Sequence, residues 1–201
     1  MPVAIQSFAS LAVERFFTKG RVPKRVGWAK IARVAARKLD MLDYAGALGD
    51  LASPPGNRLE ALRGDLAGLH SIRINDQWRV VFRWRKAVRL TSTSATTTEG
   101  HPMNAMSRQR PPTSPGEILR EEFLVPLGLT QKELADHLGC DVKVVNRIVN
   151  GRTSVTAAMA LKLGATFRTT PEFWLNAQKA VDLYRAAGSV RALPEPVVQA
   201  G

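Results

Sequence analysis

Apolar positions along this chain recur with two periods, and the change between them separates a front part from a back part. Leu11 to Thr18 spaces Val13, Phe16 and Phe17 as one side of a short helix, which Gly20 ends. Lys24 to Leu48 reads as a longer amphipathic helix. Ile31, Val34, Ala35, Leu39 and Leu42 form its core stripe, and Lys30, Arg33, Arg37 and Lys38 fall outside it. The period then drops to two. Leu69 to Asn75 puts His70, Ile72 and Ile74 on one face, and Trp78 to Trp84 does the same for Trp78, Val80, Phe82 and Trp84, with Arg79, Val81, Arg83 and Arg85 opposite. Ile5 to Phe8 alternates briefly and predicts a first strand, while Arg58 to Leu62 alternates weakly. Ser53-Pro-Pro-Gly-Asn, Arg63-Gly-Asp and Asn75-Asp-Gln supply turns. The expected front domain is α+β, two helices on an antiparallel sheet.

From Ser114 onward the pattern is helical and predicts an all-α domain of five helices. Ser114-Pro-Gly-Glu opens the first, lined by Ile118, Leu119, Phe123 and Leu124. Thr130 with Glu133 makes a capping box for the second, whose Leu134, Ala135 and Leu138 share a face before Gly139 turns the chain. Asp141 caps the third, with Val145, Ile148 and Val149 as its apolar stripe. Thr156 to Phe167 is the fourth, with Met159, Ala160 and Leu163 inward. Thr170-Pro-Glu-Phe starts the fifth, where Phe173, Trp174, Ala177, Val181 and Tyr184 make a face broad enough to serve both the core and an oligomer contact. Residues from about Gly188 read as a flexible tail.

The second and third of these helices form the chemically informative pair. A helix fits the major groove of B-DNA, where Arg and Lys suit guanine edges and Asn suits adenine. Lys143, Asn146, Arg147 and Asn150 share the polar face of the third helix, with Val142 at its start and Arg152 just past its end. Gln131, beside the free N–H groups that open the second helix, suits a phosphate. These seven residues are the DNA-binding candidates.

A net charge of +12 and a pI near 10.7 favour a polyanionic partner, and 201 residues suit two small domains. The charge is uneven, with 17 Lys and Arg against 8 Asp and Glu through residue 102. The lone Cys140 excludes an internal disulfide and fits a reducing cytoplasm. No apolar run reaches the roughly 20 residues that span a bilayer, and the N-terminus lacks a secretion signal. The expectation is a cytoplasmic protein with no membrane partner.

Pro112-Thr-Ser-Pro-Gly-Glu-Ile-Leu-Arg-Glu-Glu-Phe, Gly128-Leu-Thr-Gln-Lys-Glu-Leu-Ala, Asn146-Arg-Ile-Val-Asn-Gly-Arg and Pro171-Glu-Phe-Trp-Leu-Asn resemble the HigA-type antitoxins of the lambda-repressor-like helix-turn-helix class. Leu62-Arg-Gly-Asp followed by Ser71-Ile-Arg-Ile-Asn-Asp-Gln-Trp-Arg-Val-Val-Phe-Arg-Trp resembles the RelE/HigB toxins, small ribosome-dependent ribonucleases that cleave mRNA. The resemblance implies a toxin and its antitoxin in one chain. Its domains are 1–89 (toxin), 90–110 (linker), 111–187 (antitoxin) and 188–201 (tail). It further implies operator DNA, ribosome and mRNA as partners, toxin–antitoxin contact within or between chains, a homodimer on a palindromic site, and neither cofactor nor metal.

Cleavage of this kind uses the ribose 2′-hydroxyl, so the protein orients it, moves protons and stabilises the charged phosphorane-like state. Arg73 matches the family's strand arginine and takes the last role. Arg63 stands where relatives carry a lysine, and Glu60 where HigB relatives often carry a catalytic histidine. Relatives end the toxin on a strand closing in Asp-Tyr-His, whereas this chain has Leu90-Thr-Ser-Thr-Ser-Ala-Thr-Thr-Thr-Glu-Gly-His, with His101 as a candidate stand-in. Codons exist for Leu90 to Thr98 that, read two bases on, give Asp-Val-Asp-Ile-Ser-Asp-Tyr-His, the expected ending. The resulting expectation is an operator-binding, autorepressing antitoxin half joined to an impaired metal-independent endoribonuclease. The alternative is a DNA-binding transcriptional regulator whose front domain is a non-catalytic dimerisation or co-regulator module.

Overall fold

The computed structural model describes residues 5–24, 26–84 and 108–190, together with 192, 194 and 197. Arg85, the Leu90 to Thr98 run, His101 and most of the expected tail lie outside the described residues.

The front half opens with α1 (Leu11–Lys19), closed by Gly20 in the left-handed region at φ 69°. A 3-10 turn (Ala29–Ile31) leads into α2 (Ala32–Tyr44), and α3 (Leu48–Ala52) follows. The single helix expected over Lys24 to Leu48 is thus shorter and broken. Pro23 precedes its start, and Gly27 lies so close to the Trp78 ring that a Cβ there would come within 2.7 Å. At the other end the Asp50 carboxylate accepts from the N–H groups of Gly46 and Ala47 at 2.8 and 3.0 Å, which turns the chain into α3.

Three antiparallel strands, β1 (Glu60–Ala61), β2 (His70–Arg73) and β3 (Arg79–Phe82), pair in the order β1-β2-β3. Ser71 faces Val81 and Glu60 across the ladders, and Arg73 faces Arg79. Ile72, Val80, Phe82 and Trp84 pack inward with Phe16, Leu39 and Leu42, so the predicted faces and the α+β layering hold. Ile5 to Phe8 is not a strand. Its backbone bonds go elsewhere, the Ile5 N–H to Asp43 Oδ1 at 3.1 Å.

The back half contains five helical rods. α4 runs from Pro115–Ile118 through a π-helical stretch (Leu119–Leu124) into Val125–Leu127. α5 (Gln131–Leu138), α6 (Val142–Val149), α7 (Ala157–Phe167) and α8 (Pro171–Ser189) complete it. The caps are those the sequence names: Ser114, Thr130, Asp141, Thr156 and Thr170 each accept a backbone N–H of the following turn. Phe123, Phe167, Phe173 and Trp174 form an aromatic centre with ring centroids 4.5–6.2 Å apart.

One hydrophobic cluster runs through both halves, because α2 lies against α8 and is tied by ion pairs to α4. Two side chains of α2 depart from the expected pattern. Arg37 and Lys38, expected on its solvent side, are buried at 7% and 3% exposure. Arg37 Nε donates to Glu122 Oε1 at 2.6 Å, and Lys38 Nζ donates to Glu122 Oε2 at 2.5 Å and to Asn57 Oδ1 at 2.6 Å. Burial holds the Lys38 ammonium below its ordinary pKa, with Glu122 opposing that fall. Asp40, fully buried, binds Arg108, Arg110 and the N–H and hydroxyl of Thr113. Asp50 accepts from the Thr170 N–H at 2.6 Å and its hydroxyl at 2.8 Å, and Asn176 Nδ2 donates to the Tyr44 carbonyl at 2.9 Å. The two halves are therefore docked within the chain through buried and part-buried polar groups.

Candidate functional site

The sharp turn between α5 and α6 follows from local chemistry. Thr130 Oγ1 accepts from the Glu133 N–H at 3.2 Å, and the Glu133 carboxylate accepts from the Thr130 N–H at 2.8 Å. The Thr130 N–H and hydroxyl, both donating to it, hold the Glu133 carboxyl below its usual pKa. Gly139 ends α5 at φ 61°, and Asp141 accepts from Lys143 N–H at 2.7 Å. Leu134, Ala135, Val145, Ile148 and Val149 are buried, which fixes the rotation of both helices and turns the polar face of α6 outward. Gly116 on α4 is required by this packing, since a Cβ there would fall 2.0 Å from the Ile148 carbonyl oxygen.

Gln131, Val142, Lys143, Asn146, Arg147 and Arg152 line one open concavity of about 310 Å³. They are six of the seven DNA-binding candidates, and three of them are cations. Asn146 Nδ2 donates to Gln131 Oε1 at 3.0 Å, so the side chain at the head of α5 orients one on the outward face of α6. Sequence reasoning missed this link. Asn150 stands apart, because its Nδ2 donates to the Asn146 carbonyl at 2.8 Å and closes the C-terminus of α6. The N–H groups of Gln131 and Lys132 find no acceptor among the described residues, as at any helix start.

The sheet carries the other candidates. Glu60, Ser71, Arg73 and Arg79 share its outer face by register, away from α1 and α2. Each charge has a partner: Arg73 pairs with Asp76, and Glu60 with Arg79 at 3.0 Å. Arg79 also donates to Ser71 Oγ and to the Arg58 carbonyl, both at 2.8 Å. Arg63 is exposed beyond the far end of β1. The Leu62–Leu69 bond places it about five residues along β2 from Arg73, or roughly 16 Å at strand rise. The face thus brings Glu60 and Arg73 together and leaves Arg63 apart, while His101 lies outside the described residues. Among the described residues no group of three or more His, Cys, Asp or Glu is placed to hold a metal, and no helix is long and apolar enough to cross a membrane.

In class the molecule is an α+β unit followed by a helix-turn-helix unit. Residues 6–92 match the model of the RelE-like toxin HigB of type II toxin–antitoxin systems, and residues 119–174 match a helix-turn-helix model. The chain is 49% identical over 76 residues to antitoxin HigA-1 of Vibrio cholerae, covering 38% of this chain and 71% of that protein. It is 47% identical over 64 residues to toxin HigB-1 of the same organism, covering 32% of this chain and 67% of that protein. Among solved structures, Pseudomonas aeruginosa antitoxin HigA with the higBA promoter is 38% identical, covering 44% of this chain and all of that one, at a TM-score of 0.40. The chain belongs to the HigB and HigA toxin–antitoxin families and carries both partners in one polypeptide.

Proposed function

We propose that this protein is a self-docked toxin–antitoxin fusion whose working activity is operator binding and autorepression by its helix-turn-helix half. The observation that carries the reading is the Gln131–Asn146 bond within a concavity shared by Lys143, Arg147 and Arg152, outward on a rigidly packed α6. Arg147 and Asn146 read base edges, Lys143 and Arg152 hold phosphates, and Gln131 sets the Asn146 amide. One such helix reads only a few base pairs, so two copies bind a palindromic site as a homodimer.

The toxin half, residues 1–89, joins the antitoxin half, 111–187, through 90–110, and is a metal-independent mRNA endoribonuclease by descent that works on the ribosome. It is impaired here, because the family's Asp-Tyr-His ending is absent and with it a proton-transfer group. Docking in cis adds a second restraint. The whole acts in the cytoplasm.

The test places a reporter under the sequence immediately upstream of this chain's own coding frame. The intact chain represses it, and Arg147→Ala relieves repression without loss of fold. Equal binding of the intact chain to that promoter and to a scrambled duplex would refute the reading.

A further inference from the structure

Between Arg15 and Leu39 the sequence holds nine Lys and Arg and no Asp or Glu. Two of the nine, Arg37 and Lys38, are consumed by Glu122. Arg15, Lys19, Arg21, Lys24, Lys30 and Arg33 are exposed, and of these only Arg33 has an ion-pair partner among the described residues. So dense an unneutralised surface raises the local concentration of anions.

Its placement says which anion. The Arg33 guanidinium bonds Glu117 on α4 at 3.2 Å. The neighbouring Gly116 is the residue on which the last carbonyls of α6 sit. At the other end of the stretch, the Thr18 carbonyl accepts from the Gln109 N–H at 2.7 Å, where the chain enters the helix-turn-helix half. The Trp28 ring packs on Phe16 at 4.8 Å and fixes the loop between. The basic stretch is thus fastened to the scaffold that holds the recognition helix. One helix separates the two, and packed helices lie about 8–10 Å apart. Two such spacings put the α2 axis roughly 20 Å from that of α6, about half a turn of B-DNA, and the duplex carries one charge per ~1.7 Å. The outer sheet face that carries Arg73 lies on the other side of the helix layer, so RNA held there would not reach this stretch.

We infer that the toxin half extends the DNA-binding surface: Lys19, Arg21, Lys24 and Lys30 hold backbone phosphates of the duplex flanking the site that α6 reads. This rests on the operator reading above, which it deepens by giving the front domain a part in DNA binding. The contact is to phosphate, so it adds affinity without sequence preference.

The test uses the full chain and the duplex upstream of its own coding frame, in full and trimmed to the core site, with Kd measured over a salt series. The variant carries Lys19→Gln, Arg21→Gln, Lys24→Gln and Lys30→Gln, all exposed positions, and a melting curve confirms its fold. Log Kd against log salt flattens by about 0.9 for each phosphate no longer neutralised, so four such phosphates flatten it by roughly 3 to 4. The ratio of promoter to scrambled affinity stays unchanged, and the trimmed duplex gives the intact chain the flattened slope as well. An unchanged slope on the full duplex overturns the inference. So does an unchanged slope accompanied by a failure to co-sediment with ribosomes, which assigns the stretch to RNA. Arg147→Ala is the separate control. If it leaves the promoter-to-scrambled ratio unaltered the operator reading fails, whereas a ratio that collapses in Arg147→Ala beside an unmoved slope defeats only the flanking interaction.

Discussion

Glu122→Ala removes the one carboxylate that satisfies two buried cations. Glu122 is 2% exposed, its oxygens lie 2.6 Å from Arg37 Nε and 2.5 Å from Lys38 Nζ, and it sits on α4 while both partners sit on α2. Breaking a buried pair from one side leaves uncompensated charge and costs about 3–5 kcal/mol. The two cations do not share that loss equally. Burial already lowers the Lys38 pKa and loss of Glu122 lowers it further, whereas a guanidinium stays charged. Arg37, however, keeps Glu117 at 3.6 Å and Glu121 at 4.0 Å, while Lys38 keeps only the Asn57 amide oxygen. For a chain of this size, 1 kcal/mol moves Tm by about 2–4 °C, so the expected drop is roughly 6–20 °C by circular dichroism. Adding Arg37→Met or Lys38→Met to Glu122→Ala recovers part of it. Replacing all three residues by Met restores most of the stability, since buried ion pairs exchange for apolar packing at little net cost. A loss under about 1 kcal/mol, the range of an exposed pair, would refute the claim that these ion pairs hold the halves together.

Gly116→Ala forces α6 off α4, lowering stability by about 1–3 kcal/mol and promoter affinity with it, as chemical denaturation and gel shift would show. Arg147→Ala weakens promoter binding by about 1–3 kcal/mol and relaxes sequence preference. Gln131→Ala also relaxes it, because the freed Asn146 amide loses its orientation; a selection on randomised duplexes measures both. The unfolded chain binds the Lys38 proton more tightly than the folded one, so this residue makes stability rise with pH through the window below the ordinary lysine value. Lys38→Met should flatten that alkaline rise in denaturant titrations.

The back half was legible because its determinants are local. A cap and the N–H it bonds lie two or three residues apart, and the apolar stripes of α5 and α6 alone fix which face turns outward. Arg37 and Lys38 were misplaced for the opposite reason: Glu122 is 85 and 84 residues away, and no periodicity announces such a partner. The same distance hid Asp40, whose ligands on the back half lie 68 to 73 residues on. Ile5 to Phe8 alternates like a strand, yet alternation only states which side chains share a face. Pairing needs a neighbouring edge. The Gln131–Asn146 bond was the functional link that went unread, although a long amide at the first position of one helix and another on the outward face of the next could have suggested it.

The docking surface also separates two ways of silencing the toxin half. The interface uses α2 and α3 against α4 and α8, whereas Glu60, Arg73 and Arg79 lie on the outer sheet face, and none of their hydrogen bonds or ion pairs reaches the back half among the described residues. The antitoxin half therefore does not restrain the toxin by occupying these side chains. It can act only by bulk, by keeping the unit from seating on a large substrate. Replacing Leu90 to Thr98 in the full chain by the shifted ending, Asp-Val-Asp-Ile-Ser-Asp-Tyr-His, isolates that effect. Regaining a proton-transfer group is worth roughly 100- to 10,000-fold in rate. If bulk suffices, the repaired full chain leaves growth and mRNA intact, while repaired residues 1–102 expressed without the back half arrest growth, and Arg73→Ala abolishes that arrest. Growth arrest by the repaired full chain would show that docking does not neutralise. The absence of that ending would then be what makes this fusion tolerable to its host.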